Sequence, residues 1–187
     1  GGTTWINISK PEDYHDYFEG IDFYSILYKG GEQIKLTGSE GVILNTSNGG
    51  VSWSKYNSGI TAEIYDIDQT IEATEVAVGN YGFFLKTTNN GVNWNRVKLS
   101  QNDRLSRIQF VTSAYAFVCG ENGFFYKTKD YGATWIDVGM PDLGSKPGMV
   151  FINTTIAWLC GAEGKIIKTI NEGDNWSAQT TGITSQL

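Results

Sequence analysis

Short apolar runs punctuate the chain at a fixed interval. Ile34-Lys35-Leu36-Thr37, Val76-Ala77-Val78, Phe117-Val118-Cys119 and Trp158-Leu159-Cys160 each end on a glycine, and these glycines (Gly38, Gly79, Gly120, Gly161) recur every 41 residues. A second run follows each glycine, with adjacent apolar positions at Ile43-Leu44, Phe84-Leu85, Phe125-Tyr126 and Ile166-Ile167. Neighbouring strand residues point to opposite faces, so both faces of these strands are expected to be buried. The next column, Asn45, Lys86, Lys127 and Lys168, is polar and expected at the rim. No window shows a helical period. In the third unit the pattern predicts strands over 106–111, 115–119, 123–128 and 134–138.

Four-stranded units covered on both faces by their neighbours make a β-propeller. The predicted fold is all-β, with units at about 6–59, 60–100, 101–141 and 142–187 and the end of a preceding blade at 1–5. Trp5 is an orphan, since Gly2-Thr3-Thr4-Trp5 keeps only the end of the repeat. The last unit already owns its fourth strand, so strand exchange with residues 1–5 would complete nothing. Four units plus an orphan strand therefore predict an arc of a larger ring, of about seven blades. Its open end faces would be covered by another chain or by further blades.

A tryptophan closes each repeat: Thr46 to Trp53, Thr87 to Trp94, Thr128 to Trp135 and Thr169 to Trp176. Within each block an Asn or Asp (Asn48, Asn89, Asp130, Asn171) can accept turn N–H groups. A glycine (Gly50, Gly91, Gly132, Gly173) can supply a positive φ. These blocks resemble the Asp-box, or bacterial neuraminidase repeat, and the spacing of glycine and tryptophan resembles the photosystem II stability/assembly-factor-like propellers over nearly the whole chain. That resemblance implies a non-catalytic scaffold for protein binding or complex assembly. The alternative is an extracytoplasmic glycan-binding or glycoside-hydrolase propeller. Either setting implies a periplasmic, secreted or cell-surface protein. Three of the four box positions lack a carboxylate, which points to a structural role for Asn48, Asn89, Asp130 and Asn171 and for Trp53, Trp94, Trp135 and Trp176.

Composition narrows the chemistry. The chain has 187 residues and a net charge of −6, which argues against nonspecific nucleic-acid binding. No apolar run is long enough to span a bilayer, so no membrane insertion is expected. His15 is the only histidine, and Cys119 and Cys160 are the only cysteines, so no metal or other cofactor is expected and the thiols are predicted to be free. A sialidase would need arginines gathered from several blades, whereas Arg96, Arg104 and Arg107 fall within one blade edge and the next strand.

Candidate binding residues come from two places. Asp66 and Asp68, at i and i+2 on a predicted channel-lining strand, are candidates for glycan chemistry, with solvated channel-mouth acids as the plain alternative. The segment 11–24 interrupts the repeat and holds Tyr14, His15, Tyr17, Phe18 and Tyr24 among acidic residues. Loops that break a repeat commonly carry binding, but the same rings could fill a wider gap between blades. Arg107 completes the candidate set. No catalytic residue is assigned, and the expected partner is a protein or a glycan.

Overall fold

A computed structural model describes residues 19–70, 74–99 and 103–180. These residues form four antiparallel meanders. The first blade holds β1 (Phe23–Gly30), β2 (Gln33–Gly38), β3 (Ile43–Thr46) and β4 (Ser54–Tyr56). The second holds β5 (Ile64–Gln69), β6 (Glu75–Gly79), β7 (Phe83–Thr87) and β8 (Asn95–Lys98). The third holds β9 (Leu105–Phe110), β10 (Ala116–Gly120), β11 (Phe125–Thr128) and β12 (Ile136–Asp137), and the fourth β13 (Gly148–Phe151), β14 (Ala157–Cys160), β15 (Ile166–Thr169) and β16 (Ser177–Gln179). The first strands pack in chain order, β1 on β5, β5 on β9 and β9 on β13. The chain is thus a partial β-propeller, as the repeat predicts.

The apolar side chains sort into three seams between consecutive blades. Leu27 and Ile43 meet Ile64, Ile67, Ala77 and Leu85. Val76, Val78 and Phe84 meet Leu105, Ile108, Val118 and Tyr126. Phe117, Cys119 and Phe125 meet Leu143, Phe151, Leu159 and Ile167. Each blade gives alternate residues of a strand to the seam before it and the seam after it, which is why adjacent columns are both apolar.

The repeated glycine after each second strand is a matter of space. A Cβ on Gly79 would lie 2.0 Å from the Glu63 carbonyl oxygen, and one on Gly120 would lie 2.2 Å from that of Arg104. The segment entering the first strand crosses the blade there, and only a glycine lets it through.

The box turn is built on side-chain acceptors. In the third blade Asp130 Oδ1 accepts from the Thr134 N–H at 2.9 Å and the Ala133 N–H at 3.1 Å, and Thr128 Oγ1 accepts from the Gly132 N–H at 3.1 Å. Asn48, Asn89 and Asn171 hold the equivalent N–H groups at 2.9–3.0 Å. A carboxamide oxygen and a carboxylate therefore serve the turn alike. From the second blade on, the tryptophan that follows lies half-buried against the preceding blade. Trp135 meets Phe84 edge-on at 4.9 Å, and Trp176 meets Phe125 at 5.2 Å. Gly173 sits between, at φ +82°, where a Cβ would come within 2.3 Å of the Phe125 ring.

The polar third-strand column does not simply reach the rim. Lys86 crosses to the next blade and donates to the Tyr131 carbonyl at 2.7 Å, and Lys127 pairs with Asp174. The first blade has Asn45 in this column and uses another strand: Lys35 donates to the Asn90 carbonyl at 2.7 Å. Asn90, Tyr131 and Glu172 occupy one register and share a left-handed backbone, at φ +58°, +61° and +62°. In all three seams, then, an ammonium of one blade lands on the box turn of the next.

The first seam is also ionic. Glu75 is fully buried and binds both Lys29 and Lys35, and Lys29 reaches the Asn90 side chain at 3.0 Å. Burial pulls the Lys35 ammonium below its ordinary pKa, and Glu75 opposes that shift. Removing one partner of such a cluster strands the remaining charge. Glu75→Ala is therefore expected to lower unfolding stability by about 3–5 kcal/mol in urea titrations.

Asp130→Asn, by contrast, is expected to be mild at neutral pH. The Thr134 hydroxyl and N–H hold the Asp130 carboxyl down to about 2. A carboxyl with a depressed folded pKa stabilises above its unfolded value, near 3.9, and loses that contribution as pH falls toward 2. The gap in urea midpoint between wild type and Asp130→Asn should accordingly narrow from pH 7 to pH 2.5.

Candidate binding cleft

Where the first strands of the first three blades begin, side chains frame a cleft of about 250 Å3 lined by Tyr24, Tyr65, Arg104, Ser106, Arg107 and Lys146. Tyr24 and Tyr65 stand at the same register of β1 and β5, one repeat apart, and their rings meet at 5.3 Å with a 50° tilt. The Arg104 guanidinium lies over the Tyr65 ring at 3.9 Å. Burial, followed by the nearby Asp22 carboxylate, raises the Tyr24 hydroxyl above its ordinary range, so it stays protonated and able to donate.

The cations around these rings are unevenly balanced. Arg104 has a distant carboxylate, Glu121 at 3.6 Å. Arg107 is exposed and donates to its neighbour's carbonyl, on Ser106, at 2.9 Å. Among the described residues neither Arg107 nor Lys146 forms an ion pair. Arg107 and Lys146 thus set positive charge beside two tyrosines, with the Asp66 carboxylate behind Arg107, in a chain of net charge −6.

Asp66 and Asp68 lie directly behind this surface and are occupied. Asp66 accepts from Ser25 Oγ at 2.7 Å on one side and from the Ile108 N–H at 3.0 Å on the other. Asp68 accepts from the Phe110 N–H at 2.6 Å and the Gln69 N–H at 2.8 Å. Gln109 repeats the arrangement one blade on, accepting from the Phe151 N–H at 2.8 Å and donating to the Phe151 carbonyl at 2.9 Å. These side chains latch consecutive inner strands, which could not pair directly as a sheet. Burial raises both carboxyls above the ordinary range, opposed by the N–H donors.

Of the candidates from sequence, Tyr24 and Arg107 share the cleft. Tyr14, His15, Tyr17 and Phe18 lie outside the described residues. Cys119 is buried and Cys160 exposed, and both are free thiols. No group of three metal-ligating side chains occurs among the described residues, and no described helix is long and apolar enough to cross a membrane. Sequence reasoning missed Tyr65, Arg104, Ser106 and Lys146. The repeat itself held the signal for Tyr65, which is Tyr24 advanced by one period of 41 residues.

Comparison with known proteins decides the family. The model of the photosynthesis system II assembly factor YCF48 family matches residues 51–186. The chain belongs to that family. Among curated proteins, none matches. A structure of YCF48 bound to D1 peptide is 15% identical, with a TM-score of 0.59 over 82% of this chain and 51% of that one. YCF48 from Cyanidioschyzon merolae is 16% identical, with a TM-score of 0.64 over 90% of this chain and 62% of that one. The GH74 enzyme of Niastella koreensis is 14% identical, with a TM-score of 0.68 over 89% of this chain and 25% of its own. At these identities the solved structures share the fold. This YCF48-family chain spans half to three-fifths of the YCF48 chains it matches.

The latch makes a prediction. Asp68→Leu leaves the Phe110 N–H without its acceptor and should cost about 1–3 kcal/mol, whereas Asp68→Asn keeps an oxygen in place and should cost less. A raised folded pKa means the carboxyl's contribution is largest below the unfolded value and declines as pH rises through the folded one. Wild type should therefore gain on Asp68→Asn when chemical denaturation is moved from pH 7 to pH 4.

Proposed function

We propose that this chain is a protein-binding scaffold for complex assembly, and that the Tyr24–Tyr65–Arg104–Arg107–Lys146 cleft anchors an acidic segment of its partner. The observation that carries this reading is the pair of cations that form no ion pair among the described residues, Arg107 and Lys146, flanking two tyrosine rings. A guanidinium presents a planar fork suited to a carboxylate, and tyrosine supplies rigid apolar area with a polar tip. A cleft of about 250 Å3 has the size of one or two side chains, below the 300–1,000 Å3 usual for small-molecule sites. A peptide could place one acidic residue there and spread its remaining contacts over the blade tops. Membership of the YCF48 family supports the scaffold reading, and the YCF48 structure with D1 peptide shows a relative of the same fold holding a peptide.

A glycan-cleaving propeller, the alternative, draws on the GH74 likeness, but the inner-strand acids give it little. Asp66 and Asp68 sit on one strand rather than opposed across a cleft, and their oxygens are committed to neighbouring N–H groups.

The test is fluorescence anisotropy with a labelled acidic peptide and its amidated Gln/Asn counterpart. The acidic peptide should bind more tightly, with affinity falling as salt rises. The double change Arg107→Ala with Lys146→Ala should weaken it by about tenfold or more, as expected for charge-assisted bonds of roughly 1.5–3 kcal/mol, without moving the melting temperature. Equal binding of both peptides, or no loss in the double variant, would refute the cleft as anchor.

A further inference from the structure

The segment that enters each first strand sets one residue beside the cleft, and the charge of that residue changes from blade to blade. Asp22, Glu63 and Arg104 stand one period of 41 residues apart. Their carbonyls accept from the Ser39, Asn80 and Glu121 N–H groups at 2.9, 3.0 and 2.9 Å, so the three hold equivalent places. In the fourth blade Leu143 takes this role, 39 residues after Arg104 instead of 41, and accepts from the Ala162 N–H at 2.8 Å. The slack gained before β13 carries Lys146 to the cleft. Acid therefore stands at the first two blades and base at the next two. Asp22 is exposed, and among the described residues neither Asp22 nor Glu63 forms an ion pair. Burial raises the Tyr24 hydroxyl first, and Asp22 and Glu63 add to that while Arg104 opposes it. The Asn80 amide, donating at 3.0 Å, holds the Glu63 carboxyl below the ordinary range, so it stays charged. Arg104 lies between the two ends, over the Tyr65 ring at 3.9 Å and with Glu121 at 3.6 Å. The acids nearest the positive end are engaged: Asp66 by Ser25 and the Ile108 N–H, and Asp103 by the Asn122 amide at 2.8 Å.

Resting on the reading of the cleft as an anchor for an acidic residue, we propose that the segment held there carries charges of both signs. Its acidic side chain meets Arg107 and Lys146, its basic side chain reaches toward Asp22 and Glu63, and apolar atoms between them lie on the Tyr24 and Tyr65 rings. A lysine or arginine suits the negative end, since its apolar stem can follow the tyrosines while its head stays with the carboxylates. Opposite charge at the two ends also gives the segment a direction, because turning it round sets like charges against each other. A uniformly acidic stretch meets the same repulsion at Asp22. The recognised feature is thus an acid and a base at a set separation, not net negative charge.

Fluorescence anisotropy on the full chain at low salt tests this, with labelled peptides of one length and an apolar centre. One peptide carries a single Glu and no base. The others add one Lys, placed about three to five residues before or after that Glu, a reach of roughly 10–17 Å in extended chain. Lys on one side of the Glu should tighten binding by about three- to fivefold, as for an exposed charge pair at low ionic strength, and Lys on the other side should not. Asp22→Asn together with Glu63→Gln should erase that gain while leaving the affinity of the Glu-only peptide and the melting temperature unchanged, since neither substitution touches the carbonyls that hold the segment. If the Glu-only peptide binds but no position of Lys improves it, or if the gain survives in the Asp22→Asn, Glu63→Gln variant, the bipolar reading is overturned and the acidic anchor stands. If the Glu-only peptide fails to bind, the anchor is overturned and the bipolar reading with it.

Discussion

Every box tryptophan after the first needs a side chain of the preceding blade to lie on, and most of the architecture follows from that contact. Trp176 reaches Phe125 only because Gly173 in the same turn leaves room, and Trp135 reaches Phe84 over a turn in which Gly132 supplies a left-handed φ of +72°. The turn that aims the ring carries a left-handed residue at Asn90, Tyr131 or Glu172. Such a residue costs about 1–2 kcal/mol of backbone strain, and in each seam a lysine of the preceding blade binds that same turn. Aromatic contact, turn strain and ammonium are thus one unit, repeated with the 41-residue period. The blade cannot be detached from its neighbour without breaking all three.

This coupling explains why a binding surface can sit on so small a body. The inner strands are not hydrogen-bonded to each other as a sheet, yet Asp66, Asp68 and Gln109 fix their relative register through backbone N–H groups. Tyr24, Tyr65 and Arg107 ride on those strands, and their spacing is set by buried carboxylates a few residues away. Rigid placement of aromatic and cationic groups keeps the entropic cost of binding low. The acids behind the cleft act on its geometry, while the cations in front supply its charge.

The fold was legible from sequence because its determinants repeat. Gly79 and Gly120 mark a close approach, and Trp94 and Trp135 mark a seat on the neighbour, so one period of 41 residues located four blades and most strands. What sequence obscured were the relations between blades. Lys86 and Lys127 look like rim residues in a single strand, and only the stacked neighbour reveals their acceptors. Asp66 and Asp68 look like free channel acids for the same reason. The cleft was half-visible: Tyr24 and Arg107 stood out individually, but Arg104 and Lys146 come from connecting segments whose course no periodicity dictates.

The three seams share a backbone plan and differ in chemistry. The first is ionic, around the buried Glu75 with its two lysines. The second joins carboxylates to backbone N–H groups beside valines and Phe84. The third is aromatic, with Phe117 stacked on Phe151 at 3.7 Å and 6° and Phe125 alongside. Repeats of one length and one topology are prone to docking in the wrong order, as misassembly is characteristic of repeat proteins. Here a wrong pairing would bury Lys35 against a face without Glu75, or set Phe117 against Gln69, the second blade's residue at the register of Phe151, instead of an aromatic ring. Either error leaves a charge unpaired or a void unfilled, at a cost of several kcal/mol. The divergence of the repeats at these positions is therefore itself a structural device: discrimination between neighbours is written into the seams, while the glycines and tryptophans that build each blade stay the same.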